Sequence, residues 1–218
     1  MLLATLLASI LIVFTSDVNA GGWPINPSNS MHAIFSTYGQ LNTYVSNKGV
    51  TGFYFHDGID IQGPAGTNVY WRESAQGKVT RIFPTNHAEI QPGDEKYEYC
   101  QIGFQIVGSD NGWSYVHLKG GYIGEGTEKT YYLRNPLKDL PWETGDIIEP
   151  SEGDSARIGE IVFWKFDPGW EHVHLMWGIY DDSNSYTVKG NPLSHLSPVN
   201  DNVHPVVEDV KYRKAEDV

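Results

Sequence analysis

The chain has 218 residues, enough for one domain with a buried core and short for two. Its formal charge of −12 sets it against polyanions, so nucleic acid is excluded as a partner class, and an anionic polymer would have to be engaged through groove contacts. Cys100 is the only cysteine, so there can be no intramolecular disulfide or thiolate-held metal cluster, and any metal must be held by His and Asp.

Residues 2–14 form a mostly apolar run, followed by Val18-Asn19-Ala20, small or modest residues of the kind a signal peptidase prefers. A cleaved secretory signal over residues 1–20 is expected, giving an exported protein, secreted or in the periplasm and cell envelope, with no stable membrane insertion after cleavage. The run is shorter than the ~20 residues a membrane span needs, although the absence of Lys and Arg before it leaves an uncleaved anchor as the alternative. Residues 32–45 carry a weak helical period and predict one short helix. Strands are expected at 68–71 and 78–83, and a hairpin should pair 99–107 with 113–118 across Ser109-Asp110-Asn111-Gly112, a loop rich in residues that accept positive φ. Cys100 lies in the first arm and reads as a buried, inert thiol.

Residues 119–141 read as a long excursion that opens with Gly120-Gly121 and carries Tyr131 and Tyr132. Leaving the strand just after His117, it is expected to wall a substrate groove. Further strands are predicted at 158–164 and 172–180. After Asn191-Pro192-Leu193 the pattern changes, and residues 199–218 read as a linker and one orphan strand, which either adds to the domain's sheet or opens a further domain. The organisation is therefore a signal at 1–20, a domain at 21–198 and a tail at 199–218. The fold class is all-β, mainly antiparallel, with few short helices and long loops.

Three segments carry the chemistry: His56-Asp57-Gly58-Ile59-Asp60, Tyr115-Val116-His117-Leu118, and His172-Val173-His174. Each is weak alone, but strand geometry sends residues i and i+2 to one face. His172 and His174 then oppose Val173, Leu175, Trp177 and Ile179. Asp60 opposes Ile59 and Ile61 and shares its side with His56 if the extended backbone reaches back through Gly58. Around His117 the same rule sets Val116 and Leu118 against Tyr115 and His117. Together the segments offer three metal ligands and two spare imidazoles, the inventory of a hydrolytic metal site with an open position for water. No His-Glu-x-x-His sequence supplies a glutamate base, so imidazoles, with an ordinary pKa of about 6.5, must do that work. His32, His87, His195 and His204 fit no motif and read as surface or packing residues. The Trp residues read as core, with Trp71, Trp113 and Trp142 as candidates to line a groove.

At these residues the chain resembles the lysostaphin and LytM type of zinc endopeptidases, which cut peptides in bacterial cell walls. His56-Asp57-Gly58-Ile59-Asp60-Ile61 looks like that family's H-x-G-x-D block, Gly66-Thr67-Asn68-Val69 and Gly77-Lys78-Val79 look like its following G-T-x-V and G-x-V steps, and Tyr115-Val116-His117-Leu118 looks like its Y-x-H-L. Gly145-Asp146-Ile147-Ile148 with Ile158-Gly159 resembles the run before the last motif, and His172-Val173-His174 resembles its H-x-H. The order of the motifs agrees over residues 31–198.

The resemblance implies a zinc ion held by His56, Asp60 and His174, with His117 and His172 as the catalytic pair that positions water and stabilises the tetrahedral intermediate. It implies hydrolysis of peptidoglycan cross-links or stem peptides by zinc-activated water, in a chain expected to be a monomer. Two features depart from it: Leu175-Met176-Trp177 replace the aromatic and acid that follow H-x-H, and the interval from His117 to His172 is longer. Competing readings are a silent relative that binds wall peptides or regulates another hydrolase, and a non-haem iron enzyme built on two His and one carboxylate.

Overall fold

One antiparallel seven-stranded sheet organises the computed structural model, which describes residues 21–45, 51–84, 99–123, 130–150, 153–163, 169–180 and 186–199. In chain order the first strands are β1 (Leu41–Val45), β2 (Thr51–Phe55), β3 (Ile59–Gln62), β4 (Asn68–Tyr70), β5 (Gly77–Pro84), β6 (Tyr99–Ile106) and β7 (Asn111–Lys119). They are followed by β8 (Gly121–Ile123), β9 (Thr130–Tyr132), β10 (Arg134–Asn135), β11 (Leu140–Pro141), β12 (Ile147–Ile148), β13 (Arg157–Glu160), β14 (His172–Tyr180) and β15 (Tyr186–Gly190). Helix among the described residues amounts to two four-residue 3-10 turns, Gly153–Ala156 and Pro192–His195. The fold is all-β, as the composition of strand and turn residues predicts.

The sheet runs β12-β5-β6-β7-β14, and the far edge of β14 is shared. β3 pairs with its first half, from His172↔Gln62 to Leu175↔Ile59, and β15 with its second, from Trp177↔Gly190 to Tyr180↔Tyr186. With neighbours on both edges, β14 is an interior strand, and all its residues except Ile179 are buried. One face packs Val173, Leu175 and Trp177 with Ile59, Ile61, Trp113 and Tyr115 into the core. Val69 and Ile158 from the β4–β13 ladder, Trp23 and Ile25 from the first described segment, and Leu196 join the same cluster. Burial of each large apolar side chain there contributes about 1.5–3 kcal/mol. Cys100 is fully buried in it, as expected of an inert thiol. Trp71, Trp113 and Trp142 are core residues too.

Several sequence expectations hold: the 99–107/113–118 hairpin is β6–β7, and 68–71, 78–83 and 172–180 correspond to β4, β5 and β14. The helix over 32–45 does not form. Ile34 instead bridges to Ile61, Gly39 turns with φ +77°, and Leu41–Val45 pairs along its whole length with β2. A partner strand supplies every ladder bond, and Gly39 interrupts the helical period, so tertiary pairing overrides a weak local preference. The excursion 119–141 is not an open loop either: it folds into two small ladders, β8–β9 and β10–β11. The strand expected at 158–164 is shorter, ending in a single Ile161↔Leu118 bridge. The signal at 1–20, His87, His204 and, apart from Val199, the tail 199–218 lie outside the described residues.

On β7 the alternation argument fails. Tyr115 and Leu118 both enter the core, and Val116 lies opposite His174 on the other face. The register with β6 explains why: Cys100 faces Leu118 and Ile102 faces Tyr115, leaving Gln101 opposite both Val116 and His117. This is a β-bulge, two residues against one, and it breaks the period of two. His117 takes the left-handed conformation there, with φ +66°. A non-glycine residue in that region costs on the order of 1–2 kcal/mol. His117→Gly should therefore be more stable than His117→Ala by about 1 kcal/mol in urea melts of metal-free protein, the reverse of their order at an ordinary strand position. If the Ala variant is the more stable one, the bulge stores no such strain.

Candidate metal centre

The polar face of β14 and its neighbours gathers the singled-out residues. Register makes His174 and Asp60 direct cross-strand partners, so their Cβ atoms are about 4.5–5.5 Å apart before any side chain turns. His56 reaches the same point from the β2–β3 turn. One atom, Asp60 Oδ1, meets three imidazoles: His174 Nδ1 at 2.8 Å, His56 Nε2 at 3.1 Å and His172 Nε2 at 3.5 Å. His117 completes the cluster, its ring centroid 4.6 Å from that of His172 and 6.1 Å from that of His174. The structure thus brings all five predicted residues together. His56, Asp60, His172 and His174 are each less than a tenth exposed, and His117 is partly buried.

Gly58 is what permits the approach. A Cβ at this position would run into the Leu175 carbonyl oxygen and lie 2.8 Å from the His174 ring, so only glycine lets the β2–β3 turn close onto β14. The glycine of the His-Asp-Gly-Ile-Asp segment is therefore a packing requirement of the site.

Hydrogen bonds at the outer nitrogens fix what each ring presents inward. A carbonyl oxygen only accepts, so His56 Nδ1–H donates to Thr37 O at 3.2 Å and His172 Nδ1–H donates to Trp170 O at 2.6 Å. Both rings turn Nε2 toward Asp60, as a proton donor to its carboxylate or, once deprotonated, as a lone pair. His174 differs, with a carboxylate at each nitrogen: Asp60 at Nδ1 and Asp57 Oδ1 at 3.2 Å from Nε2. Burial pushes His174 down, but the bonds to Asp57 and Asp60 outweigh it and carry its pKa up to about 9. Burial pushes Asp60 up, yet the hydrogen bonds from His174 and His56 hold it far below the usual carboxylate range. His117 lies well below an ordinary histidine because of burial and then its neighbours His172 and His174. His172 is lowered by burial, with Asp60 opposing.

Two imidazole nitrogens and one carboxylate oxygen within 4.8 Å of one another form a group that can hold a metal ion, and that group is His56, Asp60 and His174. The donor set fits a borderline cation with a preference for N and O ligands, and the two inward lone pairs on Nε2 of His56 and, once deprotonated, Nδ1 of His174 are the atoms required.

Sequence reasoning missed four neighbours. Thr37 and Trp170 act through backbone oxygens, which leave no side-chain signature. Phe35 packs 5.1 Å from Trp170 and 6.1 Å from His172, from a stretch read as helix. Asp57 was passed over, although an acid beside His56 was in plain view.

No family model matches the chain, and no curated protein matches it at a significant level.

Asp60→Ala or His174→Ala should abolish metal retention, because each removes one of three ligands, whereas His172→Ala should keep most of the metal. Elemental analysis of folded protein purified without chelator gives the stoichiometry and the identity of the ion. Full occupancy in Asp60→Ala would sink the ligand assignment.

Proposed function

We propose that this chain is an exported zinc metalloendopeptidase of the lysostaphin and LytM type, which hydrolyses peptide bonds in the cross-links or stem peptides of bacterial cell-wall peptidoglycan. One observation carries the reading: beside a His-Asp-His group fit for a metal stand two further imidazoles, His172 with Nε2 3.5 Å from Asp60 Oδ1 and His117 with its ring 4.6 Å from that of His172. A metal site that only stabilised a fold would have no use for a pair of imidazoles outside its ligand set.

When bound to His56, Asp60 and His174, zinc supplies Lewis acidity toward a scissile carbonyl and lowers the pKa of water toward about 7. The protein's own groups do the rest. His172, its Nδ1–H tied to Trp170 O, presents Nε2 as an acceptor for the proton of the attacking water. His117, held by the bulge on β7, would donate toward the developing charge on the carbonyl oxygen. Burial disfavours the charged form of both rings, which keeps them neutral and available near pH 7.

The surroundings suit a peptide. Trp170 is 58% exposed and Phe35 lies against it beside His172, while Phe53, Tyr54 and Phe55 stand exposed on β2 just before His56. On the other flank the excursion after β7 helps to form a cavity of about 310 Å³ whose lining includes Lys119, Tyr132, Arg134, Arg157 and Glu160. Lys119, two residues beyond His117, is the lining residue nearest to that histidine in sequence.

His117→Ala and His172→Ala should fold and bind zinc yet lose on the order of 10²-fold or more in turnover on wall peptides, and the double variant should be little worse than either single one. Near-normal turnover in His172→Ala would refute its role, and mass spectrometry of wall digests by the intact chain identifies the bond cut or shows that none is.

Cutting the β8–β9 ribbon back to a tight Gly-containing turn, with β10 and β11 kept, should raise KM or change the cleavage pattern while zinc content stays the same. Identical products and kinetics would leave the ribbon without a part in recognition.

A further inference from the structure

We propose that Asp57 is the positioning residue of the metal centre, the carboxylate that fixes the orientation and strengthens the donor nitrogen of His174. The inference rests on the metal-centre reading above and adds a residue outside the ligand set.

The three imidazoles around Asp60 are not held alike. His56 and His172 lean outward on neutral carbonyl oxygens, Thr37 O and Trp170 O. His174 leans on a carboxylate, Asp57 Oδ1, 3.2 Å from its Nε2, while its Nδ1 points at Asp60 Oδ1, 2.8 Å away. Asp57 therefore stands on the far side of the ring from the other ligand atoms. The group whose donor atoms converge contains His56, Asp60 and His174, and Asp57 is not in it. From that place the acid acts on the centre through the imidazole.

The chemistry of such a chain is general. A carboxylate accepting Nε2–H selects the tautomer with its lone pair on Nδ1, fixes the plane of the ring and makes Nδ1 more basic, so the ring donates more strongly to a cation. A carbonyl oxygen does the first two and much less of the third. The bond matters to Asp57 as well: His174 is the chief reason its carboxyl sits below its ordinary value, although its side chain is 57% exposed.

The sequence supplies the acid from an unusual direction. The residues that follow His174 on its own strand are Leu175, Met176 and Trp177, so β14 offers no carboxylate. It comes instead from the β2–β3 turn, and Gly58 lets that turn approach closely enough, since any side chain there would strike the His174 ring. His56, Asp57, Gly58 and Asp60 thus form one unit: a ligand, the outer support of a second ligand, the clearance that support needs, and a third ligand.

The test compares zinc affinity, by competition with a chromophoric chelator, and the visible spectrum of the cobalt-substituted protein, for wild type, Asp57→Ala, Asp57→Asn and the control Asp110→Ala. Asp110 is exposed at the opposite end of β7, so its variant removes the same unit of charge far from the site. Asp57→Ala should keep its circular dichroism spectrum and weaken zinc binding by about 10- to 100-fold, with altered cobalt bands. Asp57→Asn, whose amide oxygen still accepts Nε2–H without the charge, should fall between Ala and wild type, and Asp110→Ala should match wild type. Equal affinity in Asp57→Ala and wild type overturns the proposal. So does complete loss of metal in Asp57→Ala, as expected for Asp60→Ala, since that would make Asp57 a ligand. Wild type that binds no zinc overturns the metal reading itself, and the role of Asp57 with it.

Discussion

The register between β3 and β14 is the constraint on which the rest of the site depends. It sets Asp60 opposite His174 and, on the other face, Ile61 opposite Val173 and Ile59 opposite Leu175. A slip of β3 by one residue would send Asp60 into the core and the isoleucines to the polar face. Ile59, Ile61, Val173 and Leu175 are at most 1% exposed, and each contributes about 1.5–3 kcal/mol by burial, so the core holds the register far more firmly than any contact between the polar groups. The polar face inherits its geometry from the apolar one. β7 pins the other edge of β14 in the same manner through Tyr115↔Leu175 and Trp113↔Trp177.

That frame allows an arrangement which would be unfavourable by itself. A buried carboxylate costs several kcal/mol unless it is paired and hydrogen-bonded. Asp60 meets the condition through His174 and His56, with His172 slightly farther off. His117 joins only because the bulge turns it: with regular alternation its strand could not place Tyr115 and Leu118 in the core and an imidazole beside His172 at once. Strain at a residue held with φ +66° is thus the consequence of serving two faces from one short stretch of strand.

What was legible in the sequence follows the same physics. Where the strand is regular, the period of two is a reliable guide, and it separated Asp60, His172 and His174 from Ile59, Ile61, Val173, Leu175 and Trp177 as the structure does. It failed at Val116, because a bulge is a change of register with the partner strand and leaves no local pattern. Residues 32–45 misled in the opposite sense: the apolar spacing was faintly helical, and the decisive fact, a partner at 51–55, lay elsewhere in the chain. The excursion concealed two short ladders, for strands of two or three residues are too brief to show a period. Groups that act through backbone oxygens, as at Thr37 and Trp170, have no signature in side-chain identity.

Charge gives the remaining link between the fold and a metal. Without one, His174 holds a proton at each nitrogen, and its single positive charge faces two carboxylates, Asp57 and Asp60. A divalent cation that displaces the proton from Nδ1 leaves three neutral imidazoles, two carboxylates and two positive charges, which balance. A neutral sum in a poorly solvated site avoids the larger part of the desolvation cost that any net charge would carry. The same count explains why one acid lies inside and the other outside. Two carboxylates at the centre would repel each other across a few ångströms, whereas the intervening imidazole separates them, and Asp57, more than half exposed, keeps much of its hydration.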